Sequence, residues 1–543
     1  MTAGLSVVVR RLLAAGLVVC GTLAGPPRAA AQFDPARVTR EAAPVAARFA
    51  DPPVAYPTPA FTPGRTDLTT HDEALAFVQA IADAHRGRVT IETLGTSQDG
   101  RALPVVTLAG DGGPSAARPA VLILAQQHGN EPSGGEAALA IVERLAGIDA
   151  ALLDRVTVYV VPRANPDGAE RFVRATRSGA DVNRDHLLLQ TPEARAIAAL
   201  TRRVRPDVVL DLHEFTVADR WVKKYGVVQH YDALLQGATV GNLSPAIAAE
   251  TSTHFLAPIR RALGEAGLAV FTYHTTSPDP EDKVVSAGGV QPDTGRNVNG
   301  LRQAVSILIE TRGVGLGRAH LARRVHTHVT AAMTVVRQAA ARGPRLVAVT
   351  RTADAAMAAS ACMGVLTVAA EHTPGRLPMT FLDAVTGAER RLVVPWRSAD
   401  VLRVVRARPR PCGYTLDAAD TDAVTRLRAL GVRVDPVTAA ATWAIERYRV
   451  LTQASGARQD ARGAIDDGAP IAVLSVRTVP AREMVPAGAW FVDLAQPLGA
   501  LAAAALEPDS QNSFAASGLI DVAAGHLRRV VARPPAAALK GTP

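Results

Sequence analysis

Residues 121–131 read VLILAQQHGNE. A short apolar run ends in a polar turn that holds His128 and Glu131. Runs of this length, separated by helical patterns, read as strands buried on both faces of a parallel sheet. The arrangement recurs downstream. Residues 156–161 lead into Asn165-Pro166-Asp167-Gly168 and a loop carrying Arg174, Asn183 and Arg184; residues 208–212 end at His213; residues 305–309 end at Glu310. In open α/β sheets, ligands bind just beyond the carboxyl ends of the strands. Two histidines, two glutamates and a basic cluster are therefore predicted to meet at one rim, which is the shape of a one-zinc hydrolase.

The pattern around these runs supports that sheet. Residues 72–85 place apolar side chains at Ala74, Leu75, Phe77, Val78, Ile81 and Ala82, a helical period. Two strand-like runs, 89–94 and 103–108, flank the turn Asp99-Gly100-Arg101. Helical patterns follow at 136–146, 192–204, 252–266 and 319–341, with an apolar run at 268–273. The alternation predicts an α/β sandwich with a mostly parallel sheet. At Gly343-Pro344 the character changes. Runs at 346–349, 392–395, 471–476 and 490–494 read as strands, and 421–430 as a helix. Residues 345–543 are expected to form a separate α+β or β-rich accessory region of unknown role, after a catalytic domain at 70–342.

The N-terminal stretch reads as a targeting signal. Arg10 and Arg11 precede an apolar segment, and Ala29-Ala30-Ala31 offers an A-x-A cleavage site before Gln32. Residues 1–31 are thus read as a signal peptide and 32–69, rich in Pro and Ala, as a linker or extended arm. A lipoprotein reading through Cys20 is weakened by Val19, where a small residue is wanted. No later apolar run is long enough to span a bilayer. An exported protein, periplasmic or extracellular, with no integral membrane segment after signal removal is expected. Cys362 and Cys412 are the cysteines left after processing, and in an oxidising compartment the two could pair. The net charge of +9 is nearly all arginine, yet aromatics are 4% and no basic stripe is interleaved with them, so a nucleic-acid partner is excluded.

The chemistry follows from residue types. Catalytic zinc takes three N and O protein ligands and keeps one position open. His128-x-x-Glu131 supplies two, and His213, at the end of another strand, supplies the third. H-x-x-E alone is a weak signal, and His213 alone could be a core histidine; the set is much stronger. Glu310 follows an apolar run, so its charged form would be disfavoured and its pKa raised. It suits a general base, or else a buried partner of Arg312. Arg184 with Asn183 suits a carboxylate, which a guanidinium grips by two parallel bonds. Arg174 could face the oxyanion formed when water attacks a carbonyl.

The segments QQHGNEPSGGEAAL, NPDGAERFVRATRSGADVNRDH, DLHEF and SILIETRG resemble the zinc carboxypeptidase family of the carboxypeptidase A type, across roughly residues 70–340. The resemblance implies a twisted mixed sheet of eight strands sandwiched by helices. It implies one zinc per chain on His128, Glu131 and His213, with Glu310 as general base and acid and Arg174 as the oxyanion arginine. Asn183 and Arg184 match the pair that grips the substrate's terminal carboxylate. The family's tyrosine on the loop before the catalytic glutamate is missing, since 283–301 holds none; Tyr273 lies further upstream. Arg296 falls where the family builds its side-chain pocket. It could select an acidic substrate side chain, or bind Glu281 or Asp282. The expected activity is hydrolysis of the C-terminal bond of peptides with a free terminal carboxylate. Alternatives are a zinc amide hydrolase of the same fold acting on cell-wall peptides or as a deacylase, and a non-catalytic binding protein.

Overall fold

The computed structural model describes residues 38–465 and 470–539. The expected signal peptide at 1–31 lies outside the described residues. Up to residue 314 the strands are β1 (Val89–Thr96), β2 (Ala102–Leu108), β3 (Ala120–Ala125), β4 (Thr157–Val161), β5 (Val208–Thr216), β6 (Val227–Gln229), β7 (Ala233–Gly237), β8 (Val270–Thr272), β9 (His274–Thr276), β10 (Val285–Ala287) and β11 (Val305–Val314). Eight of them form one mixed sheet in the order β1-β2-β4-β3-β5-β11-β7-β8. β4, β3, β5 and β11 run parallel at its centre, and β1, β2 and β7 join antiparallel to their neighbours on the central side. The central strands come from the short apolar runs because only chains apolar on both sides can be covered by helices on both faces.

Those helices are in place. His71–Ala84, Pro132–Ala146 and Leu321–Arg342 pack on one face of the sheet, and Pro192–Val204 lies on the other. Local signals set their starts. Thr70 and Glu73 form a reciprocal capping box, and Thr191 caps the fourth helix by accepting from Ala194 N. Pro132 opens its helix at the first position, so this helix begins before the apolar pattern at 136–146 indicates.

The segment after Pro344 is β-rich and shares structure with the first half. β12 (Val365–Asp383) and β13 (Glu389–Pro409) form a long hairpin in a second sheet of order β6-β12-β13-β10-β9. Main-chain pairing therefore ties it to earlier strands at Phe381–Gln229 and Val285–Trp396. A Cys362–Cys412 disulfide closes the base of this hairpin. A third, six-stranded sheet is built from Asp435–Pro436, Trp490–Asp493, Gly413–Leu416, Leu527–Val530, Ala441–Gly456 and Ile471–Val485, in that order. Its core is continuous with Leu187, Leu189 and Val298 of the first half.

One expected strand is a helix. The run 346–349 lies inside Pro344–Ala359, which buries Leu346, Thr350 and Ala353, a helical spacing. Four apolar residues are too few to separate period 2 from period 3.6. The arm at 32–69 is docked over its described part: Val45, Phe49 and Ala60 are buried, and Glu41 pairs with Arg312.

Candidate active site

Register brings the polar ends together. Glu310 on β11 pairs with His213 on β5, and Ala125 at the end of β3 pairs with Leu212. The chain then turns through 128–131 into the helix at Pro132. That turn presses on the loop after β4 so closely that a Cβ on Gly129 would lie 1.9 Å from the carbonyl carbon of Gly168. Only glycine fits there.

His128, Glu131 and His213 are buried with donor atoms all within 4.8 Å of one another. His128 Nδ1 is 2.8 Å from Glu131 Oε1, His213 Nδ1 is 2.8 Å from Glu131 Oε2, and the two Nδ1 atoms are 3.0 Å apart. The far nitrogen of each ring meets a carboxylate: His128 Nε2 lies 2.9 Å from Asp181 Oδ1, and His213 Nε2 lies 2.7 Å from Asp211 Oδ1. Metal-binding histidines are held in this way, since a carboxylate on one nitrogen fixes the tautomer and leaves the other free to coordinate. Against the upward push of burial, His128 and His213 hold the Glu131 carboxyl low. The donor set and its supports fit zinc.

Glu310 lies beside this cluster, buried. Burial pushes its carboxyl up to about 7, aided by Glu131 and Asp211 and opposed by His213 and Arg174. Arg312 is not its partner; that guanidinium pairs with Glu41 and stacks on Phe49 at 3.7 Å. Arg174 donates from Nε and Nη2 to Asp181 Oδ2 at 3.0 and 2.8 Å, and its Nη1 stands 3.1 Å from His128 Nδ1. Asn183 donates to Asp211 Oδ2 at 3.2 Å and accepts from Gly295 N at 2.7 Å. Arg184 donates to Asn183 O at 2.8 Å and to Asp460 Oδ2 at 2.6 Å. Arg296 donates to Thr239 Oγ1 and Gly289 O at 3.0 and 2.6 Å, and Asp282 is occupied instead with Ser277 and the amide of Val284.

A cleft of about 220 Å³ takes in His128, Glu131, Arg174, Asn183, Arg184, Arg296 and Glu310, with His213 beneath. It also takes in Tyr273, Arg220, Asp460 and Arg462, which the sequence reading left out or left open. Asp211 had a local signal: it sits two residues before His213 on β5, hence on the same face. Asp181 had one too, two residues before Asn183 in the same loop. Asp460 and Arg462 had none, because they arrive from a small hairpin, Gln459–Asp460 with Gly463–Ala464, far along the chain.

Residues 74–190 match the family model described as zinc carboxypeptidase. Over these residues the chain is similar to zinc carboxypeptidases. The matched span holds His128, Glu131, Arg174, Asn183 and Arg184; His213 and Glu310 lie beyond it and are brought in by the β5–β11 register. Zinc is the family's metal, and the residues that would hold it here are His128, Glu131 and His213. The chain is 28% identical to "Carboxypeptidase 2" of Trichophyton equinum over 483 residues, 86% of each chain. It is also 28% identical to "Carboxypeptidase 2" of Trichophyton rubrum over 476 residues, again 86% of each. A solved metallo-carboxypeptidase from Burkholderia cenocepacia aligns over 49% of this chain and 70% of its own, at 20% identity and a TM-score of 0.37. Among the described residues, no helix is long and apolar enough to cross a membrane.

Proposed function

We propose that the protein is an exported zinc carboxypeptidase that removes the C-terminal residue of peptides. The observation that carries this reading is the presence, in one cleft, of the metal donors, a buried carboxyl and a guanidinium suited to a terminal carboxylate. Zinc held by His128, Glu131 and His213 supplies Lewis acidity toward the scissile carbonyl and the attacking water. Glu310 takes a proton from that water and passes it to the leaving amine; a carboxyl poised near 7 suits both transfers. Arg174, steadied by Asp181, offers its remaining N–H groups to the oxyanion. Arg184 and Asn183 hold the substrate's α-carboxylate, which sets the register to the last bond, and Arg296 borders the space for the last side chain.

Tyr273 supports the reading in place of the loop tyrosine. Burial and the nearby Glu310 charge push its phenol up to about 12, so it stays a hydrogen-bond donor in the cleft. Export is supported by the signal-like residues 1–31 and by the Cys362–Cys412 disulfide, a bond favoured in oxidising compartments.

The test is digestion of a peptide library, each sequence made as free acid and as C-terminal amide, by the zinc-loaded protein, read by mass spectrometry. Loss of single C-terminal residues from the acids with the amides spared is the expected result. Internal cleavage, or equal cleavage of both forms, would replace this reading with a different amide hydrolase.

A further inference from the structure

The cleft holds more positive charge than one carboxylate can answer. Of its acids, Glu131 belongs to the metal donors, Glu310 is assigned the proton transfers, and Glu214 is consumed by Arg324 and Ser133 N at 2.7 and 2.6 Å. Arg174 is matched by Asp181. Among the acids that line the cleft, that leaves Asp460 to face the guanidiniums of Arg184, Arg220, Arg296 and Arg462; from outside the lining, Asp181 and Asp293 also act on Arg184, Asp219 on Arg220 and Asp211 on Arg296. Asp460 Oδ2 accepts from Arg184 at 2.6 Å and from Arg462 Nε and Nη2 at 3.1 and 2.8 Å. Among the described residues, Arg220 donates only to a carbonyl, Thr276 O at 2.6 Å, and Arg296 only to a hydroxyl and a carbonyl. Among the described residues, the Nε atoms of Arg184, Arg220 and Arg296 are buried without a hydrogen-bond partner.

Buried charge without a counterion is costly. A bound peptide's α-carboxylate answers one of these cations and leaves a surplus. Arg220 feels it directly, since burial and then the charge of Arg462 lower its pKa, whereas at Arg462 burial and the charge of Arg184 are offset by Asp460. The two come from different parts of the fold: Arg220 opens the helix Arg220–Tyr225 after β5, and Arg462 lies in the turn of the hairpin at 459–464. Arg458, at the foot of that hairpin, donates to Arg184 O at 2.8 Å, so the hairpin is docked on the carboxylate-binding segment itself.

We infer that this hairpin completes the substrate pocket, and that Arg462 with Arg220 makes the enzyme select a C-terminal residue carrying a side-chain carboxylate. The inference rests on the carboxypeptidase reading above and names its substrate class: peptides ending in glutamate or aspartate. Arg462 is a specificity-determining residue supplied by the C-terminal region, with Asp460 holding it in line with Arg184.

The experiment compares kcat/KM for four free-acid peptides that differ only in a final Glu, Gln, Leu or Lys. Glutamate should exceed its neutral isostere glutamine by about 10- to 100-fold, the size of one charge-assisted contact in a buried site. R462Q and, separately, R220Q should each reduce that ratio to within about 3-fold, and R462E should shift preference toward the Lys peptide. In the unaltered enzyme, free glutamate should inhibit as product at about one tenth the concentration of free glutamine or less; this arm needs no variant to fold. Cleavage of the Leu peptide with no Glu preference, a ratio unchanged in both arginine variants, or equal inhibition by the two products would overturn this inference and leave the carboxypeptidase reading standing. Failure to cleave any of the four would overturn both.

Discussion

Arg184 and Asp460 are joined by a 2.6 Å ion pair across 276 residues of sequence. The residue proposed to grip the substrate's terminus is thus held by a carboxylate from the opposite end of the chain. Burial opposes the charge on Asp460, yet Arg184 and Arg462 hold its carboxyl well below the ordinary range. The pair is ionised at any physiological pH.

Asp460 is expected to orient Arg184. Asp460→Asn should raise KM for free-acid peptides by about 10-fold or more and leave kcat within about 3-fold, since a hydrogen bond to a charged group is worth roughly 1.5–3 kcal/mol. Steady-state kinetics on one acid peptide checks this. A fall in KM would mean instead that Asp460 competes with the substrate for Arg184.

Arg184→Ala should lower kcat/KM for free-acid peptides by about 10- to 150-fold, the same energy at about 1.4 kcal/mol per decade. Amidated peptides, if cleaved at all, should respond little. Equal losses on both kinds would show that Arg184 supports the site generally and does not read the carboxylate.

One zinc per chain is expected on His128, Glu131 and His213. His213→Ala should lose it, read by elemental analysis after dialysis; stoichiometric zinc in that variant would refute the ligand set. Asp211→Asn leaves every ligand in place but weakens the bond that fixes the His213 ring. It should reduce zinc affinity by about 10- to 100-fold in a competition titration with a chelating dye.

Glu310→Gln should keep zinc and fold while turnover falls by about 10²–10⁴-fold, the usual loss on removing a general base. Activity within a few-fold of the parent would take Glu310 out of the reaction.

Glu41 gives a pH-dependent stability test. Burial alone would raise its carboxyl, but hydrogen bonds from His320 and Arg312 hold it at about 2, against 4.5 for the free side chain. A carboxyl depressed on folding adds stability that is complete above 4.5 and is lost as pH falls through the folded value. The stability gap between the parent and Glu41→Gln, read as denaturation midpoints, should therefore be constant above about pH 5 and shrink steadily from there toward pH 2. A gap that does not change with acid would show that Glu41 contributes by packing alone.

The amino-acid sequence by itself determined β3, β4, β5 and β11 and the polar groups at their ends. The reason is that burial on both faces leaves a mostly apolar run, a local signal, and the rim residues lie at its end or in the turn that follows it. His213 and Glu310 directly follow such runs and His128 and Glu131 lie in the turn after one, whereas Arg174 and Arg184 stand in the longer loop after β4 and were singled out by residue type and by the family resemblance. Tertiary structure alone decided which carboxylate meets which basic side chain. Asp181 reaches His128, Asp211 turns to His213, and Glu41 takes Arg312 away from Glu310. These choices depend on strand register and loop path, which no short stretch encodes. The same holds for the run 346–349, whose helical state shows only in the spacing of Leu346, Thr350 and Ala353 against the rest of the fold. It holds most of all for Asp460 and Arg462. Their hairpin reaches the cleft because the third sheet shares a core with Leu187, Leu189 and Val298, and because Arg458 bonds the carbonyl of Arg184. Non-local packing of that kind leaves no periodicity to read, so the pocket's cationic wall appears only once the chain has folded.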